Sequence, residues 1–170
     1  VGASLASPDK LFFGVVGDLA MFYDLNSLGN RHIGSNIRLM VINNGVGTEF
    51  KNFNHKAARF GSQADAYMAA RGHYGAQSRE LLRHYAEDLG FEYLSASNKE
   101  ELLAAAKRFT VTEKCDRPML LEVFTDSKDE SDALETLYSL EVDAKGAAKQ
   151  VVKNLFGEKG VAVAKKALGR

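Results

Sequence analysis

The sequence predicts an α/β domain, doubly wound, with a mostly parallel sheet flanked by helices and a helical C-terminal tail. Three observations lead there. Short, continuous apolar runs recur along the chain, as in strands buried on both faces. Segments with apolar residues at helical spacing separate them. Glycine-bearing turns mark the boundaries, and strand–helix–strand with short turns implies parallel pairing.

The elements follow in order. Val1 to Ala6 reads like the end of a helix already under way, and Pro8-Asp9-Lys10 punctuates it. With no initiator methionine, the chain is expected to be a piece of a longer protein, a processed mature chain being the plainer alternative. Leu11 to Val16 is an apolar run rich in β-formers, expected to be buried on both faces and ended by Gly17-Asp18. From Ala20 to about His32, residues Met21, Phe22, Leu25, Leu28 and Ile33 recur at helical spacing, and Gly34-Ser35-Asn36 closes that helix. Ile37 to Ile42 is a second strand, broken in character only by Arg38 and ended by Asn43-Asn44-Gly45.

The pattern then loosens. Residues 46–75 hold Gly47, Gly61, Gly72 and Gly75 among many polar residues and read as a long loop with a helical piece near 63–70. A loop of that length in a compact domain is usually functional or disordered. Ser78 is an N-cap candidate for a helix to about Leu89, stopped by Gly90. Phe91 to Leu94 is a short strand. Ser97, with Glu100 three residues on, has capping-box spacing for a helix to Phe109. Met119 to Phe124 is a further apolar strand. Beyond Asp126, apolar positions from Leu134 through Ala164 suggest two or three helices, interrupted by Gly146, Gly157 and Gly160. The expected organisation is one domain over 1–126 and a helical extension over 127–170.

Composition narrows the class of partner. The 170 residues are 45% hydrophobic and 26% charged, a globular balance. Twenty-two basic residues oppose twenty-two acidic ones, so nothing favours a nucleic acid, which would need a basic stripe. No apolar run reaches the length of a membrane span, and the first residues lack the plan of a signal peptide. The single cysteine, Cys115, forms no internal disulfide, which leans towards a reducing compartment such as the cytoplasm.

In an open parallel sheet, ligands sit beyond the carboxyl ends of the strands. Two such ends are chemically marked, by Gly17-Asp18-Leu19 opening a helix and by Asn43-Asn44-Gly45. The helix start presents free N–H groups and partial positive charge, which suit phosphate. Asp18 would repel phosphate unless a cation lay between them. Magnesium resolves the conflict, because it takes carboxylate, neutral oxygen and phosphate ligands together. Gly17, Gly45 and Gly47 let backbone approach closely. A site for a Mg²⁺-bridged phosphate or diphosphate follows. The plainer readings are Asp18 as a helix N-cap and Asn44 as a turn residue.

Gly17-Asp18, the twenty-four residues Leu19 to Ile42, then Asn43-Asn44 resemble the cofactor fingerprint of thiamine-diphosphate-dependent enzymes, which runs from Gly-Asp-Gly to Asn-Asn. Leu19 stands where the third glycine would be. The stretch from Gly17 to Leu28 is similar to the variant in the 2-succinyl-5-enolpyruvyl-6-hydroxy-3-cyclohexene-1-carboxylate synthase and acetolactate-synthase-like group. Pro118 to Val123 resembles the last strand of that family's C-terminal diphosphate-binding domain. The likeness covers about 1–126, is specific in the first fifty residues, and leaves the tail from Lys128 unexplained.

The resemblance implies the following. Asp18 and the side-chain oxygen of Asn44 would bind Mg²⁺, with the main-chain carbonyl of Val46 beside them. Gly17, Leu19 and Ala20 would face the diphosphate of thiamine diphosphate, the last two donating backbone N–H groups. The family acts on 2-oxo acids, by decarboxylation with or without carboligation. It activates its cofactor from a separate N-terminal pyrimidine-binding domain, and it works as a dimer or larger homo-oligomer. No catalytic residue is assignable here, and the chain alone is expected to be inactive. The alternative function is a non-catalytic Rossmann-like nucleotide-binding or assembly module, although Gly14-Val15-Val16-Gly17 lies within a strand and supplies no Gly-x-Gly-x-x-Gly turn.

Other residues carry plainer expectations. His32, His55, His73 and His84 show no metal-ligand spacing. His55 and His73 are the candidates for active-site contact because they lie in the long loop. Arg71 and Arg79 could hold a substrate carboxylate, or lie on solvated helix faces. Phe22 and Tyr23 are expected in the core, Cys115 to be inert, and the lysines from 145 to 166 on wet helix faces.

Overall fold

A computed structural model of the chain describes residues 1–67 and 79–140. His73, Arg71 and Ser78, and the tail from 141 onward, lie outside the described residues. The chain divides into two compact units, Val1–Glu130 and Ser131–Arg170.

The first unit is built on a four-stranded parallel sheet in the order β1-β2-β4-β3. The strands are β1 (Phe12–Gly17), β2 (Ile37–Asn43), β3 (Glu92–Ala96) and β4 (Met119–Phe124). The helices are α1 (Gly2–Ala6), α2 (Asp18–Tyr23), α3 (Leu81–Asp88) and α4 (Lys99–Phe109). Short 3-10 segments cover Leu25–Gly29, Thr48–Lys51 and Lys56–Ala66. Helical residues 127–130 end this unit, and residues 131–140 of the second unit are helical.

Each strand sends alternate residues to opposite faces, and each face carries its own core. On one face Val41 and Leu120 pack with Met21 and Leu28 from the α2 side, with Leu82 and Ala86 of α3, and with Phe91. On the other, Met119, Leu121 and Val123 pack with Phe109 and, at the margin, Leu102 and Ala105 of α4. Helices on both faces of a parallel sheet make the doubly wound α/β arrangement that the apolar runs predict. The central strand β4 is the clearest case, buried at five consecutive positions. It begins and ends where the sequence places it.

Several expectations change. β1 is not buried on both faces: it lies at the sheet's edge, and Phe13 and Val15 are 52% and 66% exposed. An apolar run cannot by itself distinguish a central strand from an edge strand with one open face. The helix read over 20–32 is shorter. It starts at Asp18, stops at Tyr23 and gives way at Asp24 to the 3-10 turn Leu25–Gly29. Leu28 still reaches the core, so the periodicity reports a buried face and not a continuous helix. Among its described residues, the long loop holds two 3-10 segments, the second interrupted at Gly61.

The cap of α4 is Asn98, not Ser97. Asn98 Oδ1 accepts the Glu101 N–H at 2.9 Å, and Glu101 Oε2 accepts the Ser97 N–H at 2.8 Å. The reciprocal logic of the capping box survives, one residue later. Gly90 does stop α3. With φ +85°, it lets its own N–H reach Glu87 O and the Phe91 N–H reach Ala86 O, both at 2.9 Å. This is the paired bond pattern of a Schellman motif.

Arg38 is the one charged residue inside the second strand, and it is fully buried. Its guanidinium donates to the carbonyls of Phe109 (2.8 Å), Val111 and Glu113 (2.7 Å), where the chain leaves α4. A planar fork with five donors suits a peptide segment that would otherwise have unpaired carbonyls.

Candidate functional site

A cleft of about 470 Å³ opens at the carboxyl ends of β1 and β2. Gly17, Asp18, Leu19 and Ala20 form one wall, and Asn44 and Val46 belong to the other. The six residues that the resemblance assigns to the cofactor and its metal therefore meet at one place. Parallel pairing does this: Gly17 is in register with Ile42, so the turns that follow the two strands emerge side by side.

Asp18 is 2% exposed although it lines this cleft. It is the first residue of α2, and Gly17 is the N-cap with no side-chain cap. The plainer reading of Asp18 as N-cap is thus not what the fold uses. A Cβ on Gly17 would meet no protein atom within 4 Å, so packing does not demand the glycine, which leaves space beside the carboxylate.

The second wall is a turn held by its own side chains. Asn43 Oδ1 accepts the Gly45 N–H at 3.0 Å, and Asn44 Oδ1 accepts the Val46 N–H at 2.9 Å. Gly45 sits at φ +75°, where a Cβ would be strained. The Val46 carbonyl accepts the Thr48 N–H at 3.1 Å and retains a second lone pair. Asn44 Nδ2 donates to Thr48 Oγ1 and to Glu130 Oε2, the latter at 2.6 Å.

Behind the turn lies a buried polar network that the sequence does not reveal. Glu122 is fully buried on β4. Its Oε1 accepts from Asn43 Nδ2 at 2.5 Å, and its Oε2 accepts from the Tyr93 hydroxyl at 2.6 Å. Burial pushes the Glu122 carboxyl above the usual range, and the two hydrogen bonds pull partly against that. The Tyr93 hydroxyl is also raised, first by burial and then by its bond to Glu122.

Sequence reasoning also missed Thr48, Glu49 and Glu130 on the cleft wall. Glu130 lies far along the chain and follows no motif, so only the tertiary fold brings it near. The sequence places Tyr23 in the core, and the structure differs. It is 71% exposed and lines the cleft, whereas its neighbour Phe22 packs against the core. His55 caps a 3-10 segment by accepting the Ala57 N–H on Nδ1 at 3.0 Å. Arg79 stacks its guanidinium 3.9 Å from the centroid of Phe124. Neither His55 nor Arg79 lines the cleft.

Among the described residues, no three His, Cys, Asp or Glu side chains gather to hold a metal. No helix among them is long and apolar enough to cross a membrane.

No family model matches the chain. Curated relatives do. The chain is 36% identical over 137 residues to the 2-succinyl-5-enolpyruvyl-6-hydroxy-3-cyclohexene-1-carboxylate synthase of Phocaeicola vulgatus, covering 78% of the chain and 22% of that protein. It is 33% identical over 133 residues to the Bacteroides thetaiotaomicron enzyme of the same name, with the same coverage. The chain thus spans 22% of the length of these relatives. Among solved structures, the Rhodococcus jostii RHA1 thiamine diphosphate-dependent 4-hydroxybenzoylformate decarboxylase aligns with TM-score 0.52 and 23% identity, over 74% of this chain and 22% of that one. That second likeness is one of fold.

The fold is a parallel four-stranded sheet with flanking helices, an α/β arrangement like that of this thiamine diphosphate-dependent neighbour. The chain is homologous to thiamine-diphosphate-dependent enzymes, with relatives among the 2-succinyl-5-enolpyruvyl-6-hydroxy-3-cyclohexene-1-carboxylate synthases.

Proposed function

We propose that this chain is the diphosphate- and Mg²⁺-anchoring domain of a thiamine-diphosphate-dependent enzyme acting on a 2-oxo acid, by decarboxylation with or without carboligation. One observation carries the reading. Gly17, Asp18, Leu19, Ala20, Asn44 and Val46, drawn from two separate turns, line a single cleft at the carboxyl edge of the sheet.

The donor set fits a hard, oxygen-seeking cation that also holds phosphate. Asp18 offers one carboxylate, Asn44 an amide oxygen and Val46 a main-chain carbonyl. That is too few ligands for a closed protein cage, and it suits Mg²⁺, which keeps places for phosphate oxygens and water. Leu19 and Ala20 open α2, so their N–H groups have no helical partner and are available to phosphate. Gly17 would leave room for the diphosphate.

The cofactor, once bound, supplies the nucleophile and electron sink for the 2-oxo acid. This chain's own residues hold and orient its diphosphate end. The groups that activate the cofactor would come from an N-terminal pyrimidine-binding domain, and a homo-oligomer would bring the halves of the site together. The reading therefore gives the isolated chain no turnover.

Calorimetry of thiamine diphosphate binding, with and without Mg²⁺, on the full natural polypeptide that carries this chain tests the assignment. Wild type should bind in a Mg²⁺-dependent manner and Asp18→Ala should not. Binding unchanged by that substitution would defeat the metal assignment, and turnover by the 170-residue chain alone would defeat its role as half of a site.

A further inference from the structure

We propose that Glu130 is a positioning residue: with the Val46 N–H it fixes which way the Asn44 amide faces and so tunes the cation affinity of the cleft. The proposal rests on the reading of Asn44 as a Mg²⁺ ligand. It adds a residue that the cofactor fingerprint does not contain.

An asparagine amide is nearly symmetric in shape but not in chemistry. One end donates two hydrogens and the other accepts. For Asn44 to offer oxygen to a cation, something must hold the NH₂ end away from it. Two partners meet that end, Thr48 Oγ1 and Glu130 Oε2. The Thr48 hydroxyl can donate or accept, so it would tolerate either orientation. A carboxylate only accepts. Turning the amide over would set Asn44 Oδ1 against Glu130 Oε2, replacing the 2.6 Å hydrogen bond by repulsion between two acceptors. At the other end the Val46 N–H, which only donates, meets Asn44 Oδ1; Glu130 is therefore the side chain that discriminates, alongside that backbone donor.

Its own placement is held in turn. The Thr125 hydroxyl, just past the end of β4, donates to Glu130 Oε1. One carboxylate oxygen is thus occupied by Thr125 and the other by Asn44. Both Asn44 and Glu130 line the cleft, so the negative charge of Glu130 also lies where a cation would benefit from it. Partners of metal ligands commonly act in this manner without touching the metal.

The test measures thiamine diphosphate binding across a range of Mg²⁺ concentrations on the full natural polypeptide. Wild type is compared with Asp18→Ala, Glu130→Ala and Glu130→Gln. For Glu130→Ala, the Mg²⁺ concentration at half-maximal binding should rise about tenfold or more. Cofactor affinity at saturating Mg²⁺ should return to the wild-type value. Glu130→Gln should fall between the two, because its amide oxygen can still accept from Asn44. A residue that merely supports the fold would weaken cofactor binding equally at every Mg²⁺ concentration, and that outcome overturns the proposal. So does an unchanged Mg²⁺ half-point in the glutamine variant, which decides the matter if the alanine variant does not fold. If Asp18→Ala abolishes binding while Glu130 variants titrate as wild type, the proposal fails and the Mg²⁺ site stands. Binding by wild type that ignores Mg²⁺ overturns both.

Discussion

Glu122→Gln should make the domain more stable than wild type as pH rises. Glu122 is fully buried, and burial raises its carboxyl above the ordinary 4.5. The folded state therefore keeps a proton that the unfolded chain releases. Above the ordinary glutamate range, unfolding releases that proton, so wild-type stability falls with pH until the raised folded value is passed. One proton gives a slope of at most about 1.4 kcal/mol per pH unit within that window. Below pH 4.5 the contribution is fully retained. Glutamine mimics the protonated acid: its oxygen can accept from Asn43 Nδ2, and its NH₂ can donate to the Tyr93 oxygen. It has no proton to lose, so that slope disappears. Urea unfolding of both proteins from pH 4 to 8 reads the difference directly. The glutamine-minus-wild-type stability should be near zero at the acid end, grow with pH and then level off. A glutamine variant less stable by a constant amount at every pH would refute the reasoning. It would mean that Glu122 is ionised in the fold and accepts both hydrogen bonds as a carboxylate. The result matters for the site because Asn43 connects Glu122 to the Gly45 N–H of the cleft turn.

Three further outcomes can be measured by the same unfolding assay. Asn98→Ala should cost about 1 kcal/mol through loss of the α4 cap, and Ser97→Ala should cost less, since only its backbone N–H is used. Gly90→Ala should cost about 1 kcal/mol or more, because a Cβ is strained at φ +85°. Arg38→Met should cost about 3 kcal/mol, as removing a buried cation leaves its carbonyl partners unpaired; a change under about 1 kcal/mol would show that water replaces the guanidinium.

Much of this protein is legible without coordinates. The residues of β2 and β4 are mostly apolar over a strand's length, Arg38 and Glu122 excepted, so the sequence alone marks them as strands with at least one buried face. Gly90 announces a helix end because few other residues tolerate its φ. Gly17-Asp18 and Asn43-Asn44-Gly45 could be assigned to strand ends, and parallel pairing then requires them to be neighbours. What the sequence could not decide are relations between residues distant in the chain. Nothing local tells that β1 lies at an edge with Phe13 and Val15 open, since apolarity does not encode which neighbour arrives. Nor does it tell that a six-residue α2 yields to a 3-10 turn, because both leave Leu28 on the same buried side. Glu122 within an apolar strand looks like a defect until β2 and β3 bring Asn43 and Tyr93 to it across the sheet. Glu130 looks like one acidic residue among several until the chain returns beside Asn44. Two turns carrying Asp18 and Asn44 were set by local chemistry. Their support was set by tertiary contact, because a hydrogen bond between residues 86 positions apart exists only once the chain has folded.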